Sequence, residues 1–357
     1  MRSRFPYICT NKRYLYNRLK AVPTIMFDNF LVFLANHPRL VPEPLLRVIF
    51  LFAADVCWLF SLGGVSQLER NLHHVLVARD GAVTRKDVRK ASHRGMRSYF
   101  TYFAEAMTVG GQSNERLLAR ARAIGPGLPI CRRLVHDEPG SLPLAISHQG
   151  NWDYEGFLAA NVLAPPTVTA ERLANKALLD TFIKIRKRLD ITVLLTGQPN
   201  LIEKLTKVLD EPHGLVALLA DRDLSRHGEF VKAFGSTIRV ARGPAALAFD
   251  TGKPLFVVNM FREQLHGEAR RKAGVRYGYV VDISAPVDID RFRDLPREEA
   301  IHAISQAWVD VWAHGILAYP EDWHMLQPIF IDDLDFSRLK DVPDEVMSEL
   351  ERIKQVQ

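Results

Sequence analysis

Short apolar runs separated by helical stretches organise the chain from about residue 140 onward. The runs lie at 142–147, 167–170, 191–196, 214–220, 254–260 and 277–283, and apolar residues at helical spacing fill 156–162, 176–189, 200–210 and 243–251. Strands that are apolar along their whole length and alternate with helices are typical of a parallel sheet covered on both faces. The pattern therefore predicts an α/β fold, with a largely parallel central sheet flanked by helices.

The chain before residue 140 has a mostly helical and partly amphipathic pattern. Two apolar stretches, 23–34 and 45–65, precede predicted helices at 66–76 and 86–109. The stretch 45–65 approaches the length of a membrane span, but Arg47 and Asp55 interrupt it. A charge at mid-span costs about 2.5–3.5 kcal/mol on insertion scales. We therefore expect helices that lie in the membrane interface or pack on the domain, with ordinary buried core helices as an equal alternative.

This change of pattern predicts three regions. Residues 1–80 are expected to form an apolar and amphipathic helical region that associates with a membrane, 81–335 the α/β domain, and 336–357 a charged tail or surface helix. The basic N-terminus is not followed by an apolar core and a small-residue cleavage site, which argues against a secretory signal peptide.

Composition and charge narrow the possible function classes. The 357 residues are 47% hydrophobic and 25% charged, and the formal net charge is +6, which suits an anionic membrane surface or cofactor as well as nucleic acid. Nucleic acid ranks last, because the basic residues are spread out and no binding motif is present. The three cysteines, Cys9, Cys57 and Cys131, show no CxxC spacing, which argues against a zinc site or a disulfide framework.

Three polar clusters directly follow apolar runs. The segment 147–153 follows the first run, Glu171 and Arg172 follow the second, and Asp221 and Arg222 follow the run at 214–220. Because functional groups of parallel sheets gather beyond the carboxyl ends of the strands, we expect these clusters to lie at one edge of the sheet.

His148 and Asp153 form a candidate acid–base pair within the first cluster. A carboxylate can accept the imidazole Nδ1–H and leave Nε2 free to take a proton. No GxSxG or HExxH motif is present, which disfavours a serine hydrolase of that type and a zincin. The pair therefore suits activation of a hydroxyl on the substrate. As a spacing alone HxxxxD is a weak signal, and it is more typical of an ordinary turn in which Asp153 favours a helix N-terminus.

Several segments extend this interpretation into a family resemblance. SHQGNWD at 147–153 resembles the HxxxxD motif of the bacterial glycerolipid and lipid A acyltransferases, and the other blocks are LERNLHHVL, TVTAERL, LLADRDLSRHGEFVKAFG and YPEDWHMLQPIF. The blocks follow the family's order over roughly residues 60 to 332. Within this superfamily, the segments HQGNWD, AERL, ADRDLS and EDWHMLQP are most similar to the phosphatidylinositol mannoside acyltransferases of actinobacteria.

The resemblance implies transfer of a fatty acyl group from acyl-CoA to a mannose hydroxyl of a membrane glycolipid, at the cytoplasmic face of the cell membrane. It implies His148 as the general base, Asp153 as its orienting partner and Asp221 as a further active-site carboxylate. Acyl-CoA is expected as a co-substrate, with no metal or resident cofactor. The side chains expected to bind substrate are those of Asn151, Glu171, Arg172, Arg186 and Arg222.

Backbone N–H groups of residues 149–151 and of the following helix start are the expected donors to the developing oxyanion. Alternative functions remain open at this point. They are the same chemistry on a lysophospholipid or lipid A-like acceptor, the use of acyl carrier protein as donor, and a non-catalytic lipid-binding role.

Overall fold

Nine strands occur in the part of the chain that the structure describes, residues 28–223, 225, 227–340 and 342–356 of a computed structural model. They are β1 (Ala121–Ile124), β2 (Leu142–Ile146), β3 (Thr167–Ala170), β4 (Thr192–Leu195), β5 (Leu215–Leu219), β6 (Glu229–Ala233), β7 (Ser236–Val240), β8 (Phe256–Gln264) and β9 (Tyr277–Ile283). Seven of them form one sheet in the order β1-β9-β8-β2-β5-β3-β4, and β6 and β7 form a separate hairpin. Only β8 and β9 pair antiparallel within the large sheet.

Helices cover both faces of the large sheet. The helices among the described residues are α1 (28–36), α2 (Glu43–Leu59), α3 (Val65–Asp80), α4 (Arg85–Thr108), α5 (Asn114–Leu118), α6 (Gly127–Arg132), α7 (Trp152–Val162), α8 (Lys176–Arg188), α9 (Leu201–Asp210), α10 (Gly243–Thr251), α11 (Gly267–Ala273), α12 (Arg297–Ala318) and α13 (Asp344–Val356). Leu144 and Ile146 of β2 pack in one core with α4, α7 and α8, whereas Ala145 faces a second core with α10 and α12. The predicted α/β fold with a largely parallel central sheet flanked by helices is confirmed.

The sequence pattern identified six of the seven strands of the large sheet. It missed β1 and the hairpin β6–β7, because these short strands carry charged residues such as Arg122, Lys232 and Arg239 within them. The N-terminal end of the predicted membrane-associating region, residues 1–27, lies outside the described residues.

The apolar stretch 45–65 is not one continuous helix. Helix α2 ends at Leu59, and a turn in which Ser61, Gly63 and Gly64 have positive φ angles separates it from α3. Among the described residues, no helix combines the length and the hydropathy that crossing a bilayer requires.

Candidate active site

The carboxyl ends of β2 and β5 bring His148 and Asp221 together. The strands pair in parallel with Ile146 opposite Leu219, and each polar residue lies two positions beyond its strand. His148 Nδ1 lies 2.7 Å from Oδ1 of Asp221, and the backbone N–H of His148 donates to Oδ2 at 2.9 Å. Adjacent parallel strands thus explain why two residues 73 positions apart in sequence meet.

Asp221 is a fully buried carboxylate that accepts three hydrogen bonds. The third donor is the indole Nε1–H of Trp323, 2.9 Å from Oδ2. Burial alone raises a carboxyl pKa, but the charge and hydrogen bonds of His148, together with the Trp323 bond, outweigh it and lower the pKa of Asp221. The ionised carboxylate keeps the imidazole proton on Nδ1. The lone pair of His148 is therefore on Nε2.

Asp153 does not contact His148, and the expectation that it orients this imidazole is wrong. Its carboxylate accepts hydrogen bonds from Nε of Arg186 at 2.8 Å and from the hydroxyl of Tyr102 at 3.1 Å. The reason is that α7 begins at Trp152, so Asp153 lies on the helix and faces α4 and α8. The imidazole, in the turn before the helix, points toward β5 instead.

Arg186 and Asp153 form a buried ion pair. Burial lowers the pKa of the Arg186 guanidinium, but the charge of Asp153 outweighs this effect and holds that pKa above its usual range. Both side chains also line a cavity beside α7. The pair therefore fixes the start of α7 against α8 at the cavity wall.

The turn between β2 and α7 depends on Gly150. This residue has a φ angle of +63°, and a Cβ atom there would lie 3.0 Å from the Met260 side chain. The amides of residues 149–151 already donate to the carbonyl of Ser147, the carbonyl of Asp322 and the sulfur of Met260, respectively. These three amides are therefore occupied, contrary to the expectation that they bind an oxyanion. The other backbone N–H groups that were expected to bind the oxyanion are those at the start of α7.

Asn151 supports this turn rather than a substrate, which also corrects the sequence expectation. The side chain is fully buried. Its Oδ1 accepts the Tyr154 amide at 3.2 Å and caps α7, while its Nδ2 donates to Glu105 at 2.7 Å. Both polar ends of the amide are thus used within the protein.

Charged residues border the His148–Asp221 pair on the side of β3. Glu171 follows β3, Arg222 follows Asp221, and their side chains lie 3.3 Å apart. Arg172 is exposed at the same strand end. Because β3 is the next strand beyond β5 in the sheet, these groups lie at the same edge as His148.

A mostly apolar cavity lies between α7 and the sheet. Its lining residues come from β1, β9, β8, β2, β5 and β3, and they include Leu144, Ile146, Val168, Ala217, Leu219 and Val281. Six neighbouring strands span about 24 Å at the usual strand spacing. Trp152 connects the cavity to the site, because it lines the cavity and packs edge-on against the His148 ring with centroids 5.5 Å apart.

Comparison with known proteins identifies the family. Residues 18–331 match the family of bacterial lipid A biosynthesis acyltransferases. The chain belongs to this family. It is 33% identical over 306 residues to the phosphatidylinositol mannoside acyltransferase of Mycolicibacterium smegmatis, which covers 84% of this chain and 90% of the relative. It is also 34% identical over 280 residues to the phosphatidylinositol mannoside acyltransferase of Mycobacterium tuberculosis H37Rv, covering 77% of this chain and 80% of the relative.

Family membership makes the protein an acyltransferase, as the resemblance implied. The family match includes both His148 and Asp221, and it ends at residue 331, just after the segment that supplies Trp323. Within the described residues, His, Cys, Asp and Glu side chains form no group of three or more suited to a metal ion.

Sequence reasoning missed several residues that shape the site of this acyltransferase. Trp323 is fully buried, and its indole N–H donates to Asp221. Tyr102 binds Asp153, and Glu155 lines the cavity. His324 is buried and its backbone N–H donates to the carbonyl of His148 at 2.7 Å, while burial lowers its own pKa to about 3. For Trp323 and His324, the signal available in the sequence was the YPEDWHMLQPIF block. The structure shows that this segment is mostly buried, polar residues included.

Proposed function

We propose that this acyltransferase moves a fatty acyl group from acyl-CoA to a mannose hydroxyl of a phosphatidylinositol mannoside-type glycolipid. His148 is the general base, and Asp221 replaces Asp153 as the carboxylate that orients it. The observation that carries the proposal is the 2.7 Å contact between Nδ1 of His148 and the buried Asp221. The acceptor class rests on two relatives that are phosphatidylinositol mannoside acyltransferases and align with more than three quarters of the chain.

The proposed reaction needs no nucleophile from the protein. His148 Nε2 takes the proton of the acceptor hydroxyl as its oxygen attacks the thioester carbonyl carbon. The tetrahedral intermediate then collapses, the C–S bond breaks, and the thiolate of CoA leaves and can take the proton held by the imidazolium. General base catalysis typically contributes about 10²–10⁴-fold, so positioning and oxyanion stabilisation supply the rest.

Asp221 supports the base in two ways. It holds the imidazole in the tautomer with the lone pair on Nε2, and its negative charge stabilises the imidazolium that forms during proton transfer. Both effects are strong here because the carboxylate is excluded from water and held by three donors.

The cavity beneath α7 is the proposed site of the donor acyl chain. Its lining is mostly apolar, which suits an alkyl chain, and its open volume of about 50 Å³ means that a long chain would enter by displacing side chains between α7 and the sheet. Trp152 at the cavity wall touches His148, so a chain in the cavity would place its thioester near Nε2. Arg172 and Arg222 at the strand ends are proposed to meet the phosphates of CoA or of the acceptor headgroup.

Peripheral attachment to the cytoplasmic face of the cell membrane completes the proposal. One face of α2 packs on the domain through Leu46, Phe50 and Ala54. The opposite face is apolar and exposed, with Val48 62% and Phe52 69% exposed. An uncovered apolar helix face on a protein with a net charge of +6 fits insertion into the interface of an anionic bilayer.

The proposal is tested with purified protein, radiolabelled palmitoyl-CoA and three separate acceptors. The acceptors are a phosphatidylinositol mannoside, a lysophospholipid and a lipid A precursor, and a vesicle without acceptor is the control. We expect label in the mannoside product, and its loss with His148→Ala. Free CoA should appear in equal amount to the labelled product, since each transfer releases one thiol.

Label in a different acceptor would contradict the proposed acceptor class but not the chemistry. Undiminished labelling by His148→Ala would exclude this residue as the base. Palmitoyl-acyl carrier protein in place of palmitoyl-CoA tests the donor, and a preference for the carrier protein would contradict that part of the proposal.

A further inference from the structure

Glu155 is a buried acidic residue in the wall of the apolar cavity. It lies on α7, three residues beyond Trp152, and is only 6% exposed. Two other charged residues of the lining, Asp153 and Arg186, neutralise each other through their 2.8 Å ion pair. Throughout the described ranges of the chain, no hydrogen bond or ion pair involves the Glu155 carboxyl. This acid therefore faces an apolar space without a partner.

Burial favours the neutral form of the Glu155 carboxyl. Burial raises its pKa to about 8, and no neighbouring cation counteracts this effect. A neutral carboxylic acid offers one O–H donor and one carbonyl acceptor. A single hydroxyl on a bound chain can form hydrogen bonds with both groups, and a keto oxygen can accept a hydrogen bond from the O–H.

An unsubstituted alkyl chain in the cavity would cover these polar atoms without replacing their hydrogen bonds to water. Covering a polar group in this way is unfavourable, whereas a chain with an oxygen at the right position removes the penalty. Sites built to bind a substrate hydroxyl discriminate strongly against analogues that lack it. The wall at Glu155 places one carboxyl group without a protein partner among the described residues in a mostly apolar lining.

We propose that Glu155 makes the cavity select acyl chains that carry a hydroxyl or keto oxygen near the thioester over unsubstituted chains of the same length. The inference rests on the proposed function, because it requires the donor acyl chain to occupy this cavity. The position of the oxygen follows from α7. At 1.5 Å per residue, Glu155 lies only about 4.5 Å along the helix axis from Trp152, which touches His148.

The test compares palmitoyl-CoA, 3-hydroxypalmitoyl-CoA and an isomer hydroxylated at the far end of the chain. We expect the wild-type protein to favour the 3-hydroxy donor over palmitoyl-CoA by about tenfold in kcat/KM, the factor that one hydrogen bond supplies. The far-end isomer should not be favoured. Glu155→Gln, which keeps a donor and an acceptor, should retain most of the preference, and Glu155→Met should abolish it. Leu158→Met, a change of another cavity residue without a change of polarity, should leave it intact.

An unchanged ratio of the two donors in Glu155→Met would overturn the inference, as would equal use of both by the wild-type protein. If Glu155→Met fails to fold, Glu155→Leu takes its place. Calorimetric titration with free 3-hydroxypalmitate and palmitate measures the same selectivity without any transfer reaction. Selective binding without transfer to any acceptor would therefore contradict the proposed function alone, and transfer without selectivity would contradict the inference alone.

Discussion

His148 owes its proposed reactivity to residues from two distant parts of the chain. Asp221 comes from the end of β5 and Trp323 from the segment after α12, and both fix the same imidazole through one carboxylate. Each contact is a hydrogen bond to a charged group, the stronger class of such bonds. Single substitutions at these positions therefore distinguish the contribution of the His148–Asp221 pair from that of the residues around it.

Trp323→Phe is expected to shift the acid side of the pH–activity profile. Losing the indole donor removes one interaction that lowers the pKa of Asp221, so this carboxyl will protonate at a higher pH. Activity should then be lost at a higher pH as the solution is acidified, with kcat reduced about tenfold near neutrality. The measurement is kcat against pH for the wild-type protein and the variant.

The matched control is Trp312→Phe. Trp312 is equally buried and packs against Trp323 with ring centroids 5.6 Å apart, but its indole nitrogen has no hydrogen-bond partner within the described residues. The Trp312→Phe substitution removes the same side-chain volume as Trp323→Phe but leaves the hydrogen bonds of Asp221 in place. Identical shifts of the pH profile in both variants would show that packing, not the hydrogen bond, is responsible.

Glu155 predicts a pH dependence of stability. Its folded-state pKa of about 8 lies above the ordinary glutamate value of 4.5, so the folded state holds the proton more tightly than the unfolded state. This stabilisation is complete below pH 4.5 and is lost as the pH rises through 8, by on the order of 5 kcal/mol. Glu155→Gln should lose less stability than the wild-type protein between pH 5 and 8 in urea unfolding. The exposed Glu211→Gln serves as the control, and parallel curves for wild type and Glu155→Gln would refute the assignment.

At the level of elements, α2 combines an exposed apolar face with a buried attachment to the domain. The attachment runs through Glu43 at the start of α2, which accepts two hydrogen bonds from Arg120 at 2.8 and 2.9 Å. Arg47, four residues later on α2, donates to Glu105. Glu105 also accepts a hydrogen bond from Asn151 in the turn between β2 and α7. A buried polar network therefore connects the exposed helix to the active site.

Replacing Val48 and Phe52 by glutamate should weaken membrane binding without unfolding the protein. Both side chains are more than half exposed, so the loss concerns apolar area available to a bilayer rather than the core. Co-sedimentation with anionic vesicles should fall at least tenfold for the double variant. Ile202→Glu, at an equally apolar and 52% exposed position on α9, should bind as the wild-type protein does. Undiminished vesicle binding of the double variant would exclude this face as the attachment surface.

Breaking the ion pair between Glu43 and Arg120 should destabilise the whole protein. Both side chains are buried, and Arg120→Met would remove two hydrogen bonds from the Glu43 carboxylate and leave Arg47 and Gln112 as its donors. We expect a loss of about 2–3 kcal/mol in the free energy of unfolding. The double variant Glu43→Leu with Arg120→Met should recover part of this loss, because the buried carboxylate is removed together with its partner. Equal stability of the single variant and the wild type would contradict a stabilising role of this ion pair.

At the scale of the whole molecule, the sequence predicted the sheet better than the site. Apolar runs without charges identified β2, β3 and β5, and parallel pairing then placed the residues beyond them at one edge. The partner of His148 could not be predicted in the same way. Asp153 and Asp221 both lie at suitable strand or helix ends, and only the three-dimensional arrangement shows that the start of α7 turns Asp153 toward Arg186.

Trp323 was unpredictable for a related reason. A tryptophan in a mostly buried segment looks the same whether it packs in the core or binds a carboxylate. Its role depends on an isolated antiparallel β-bridge between Gln149 and Trp323, which joins the turn between β2 and α7 to the chain after α12. Glu155 likewise resembles an ordinary acidic residue in the first turn of a helix, and only the cavity beside it gives it significance.

The central claim is that His148 and Asp221 act as one catalytic unit, with Asp153 outside it. The measurement that tests it most directly is kcat for acyl transfer by His148→Ala, Asp221→Asn, their double variant, and Asp153→Asn alone and combined with His148→Ala. We predict that Asp221→Asn lowers kcat by about 10²–10⁴-fold, that the double variant is no slower than His148→Ala, and that Asp153→Asn combined with His148→Ala gives a further loss. Wild-type activity in Asp221→Asn, or additive losses for His148 and Asp221, would contradict the account.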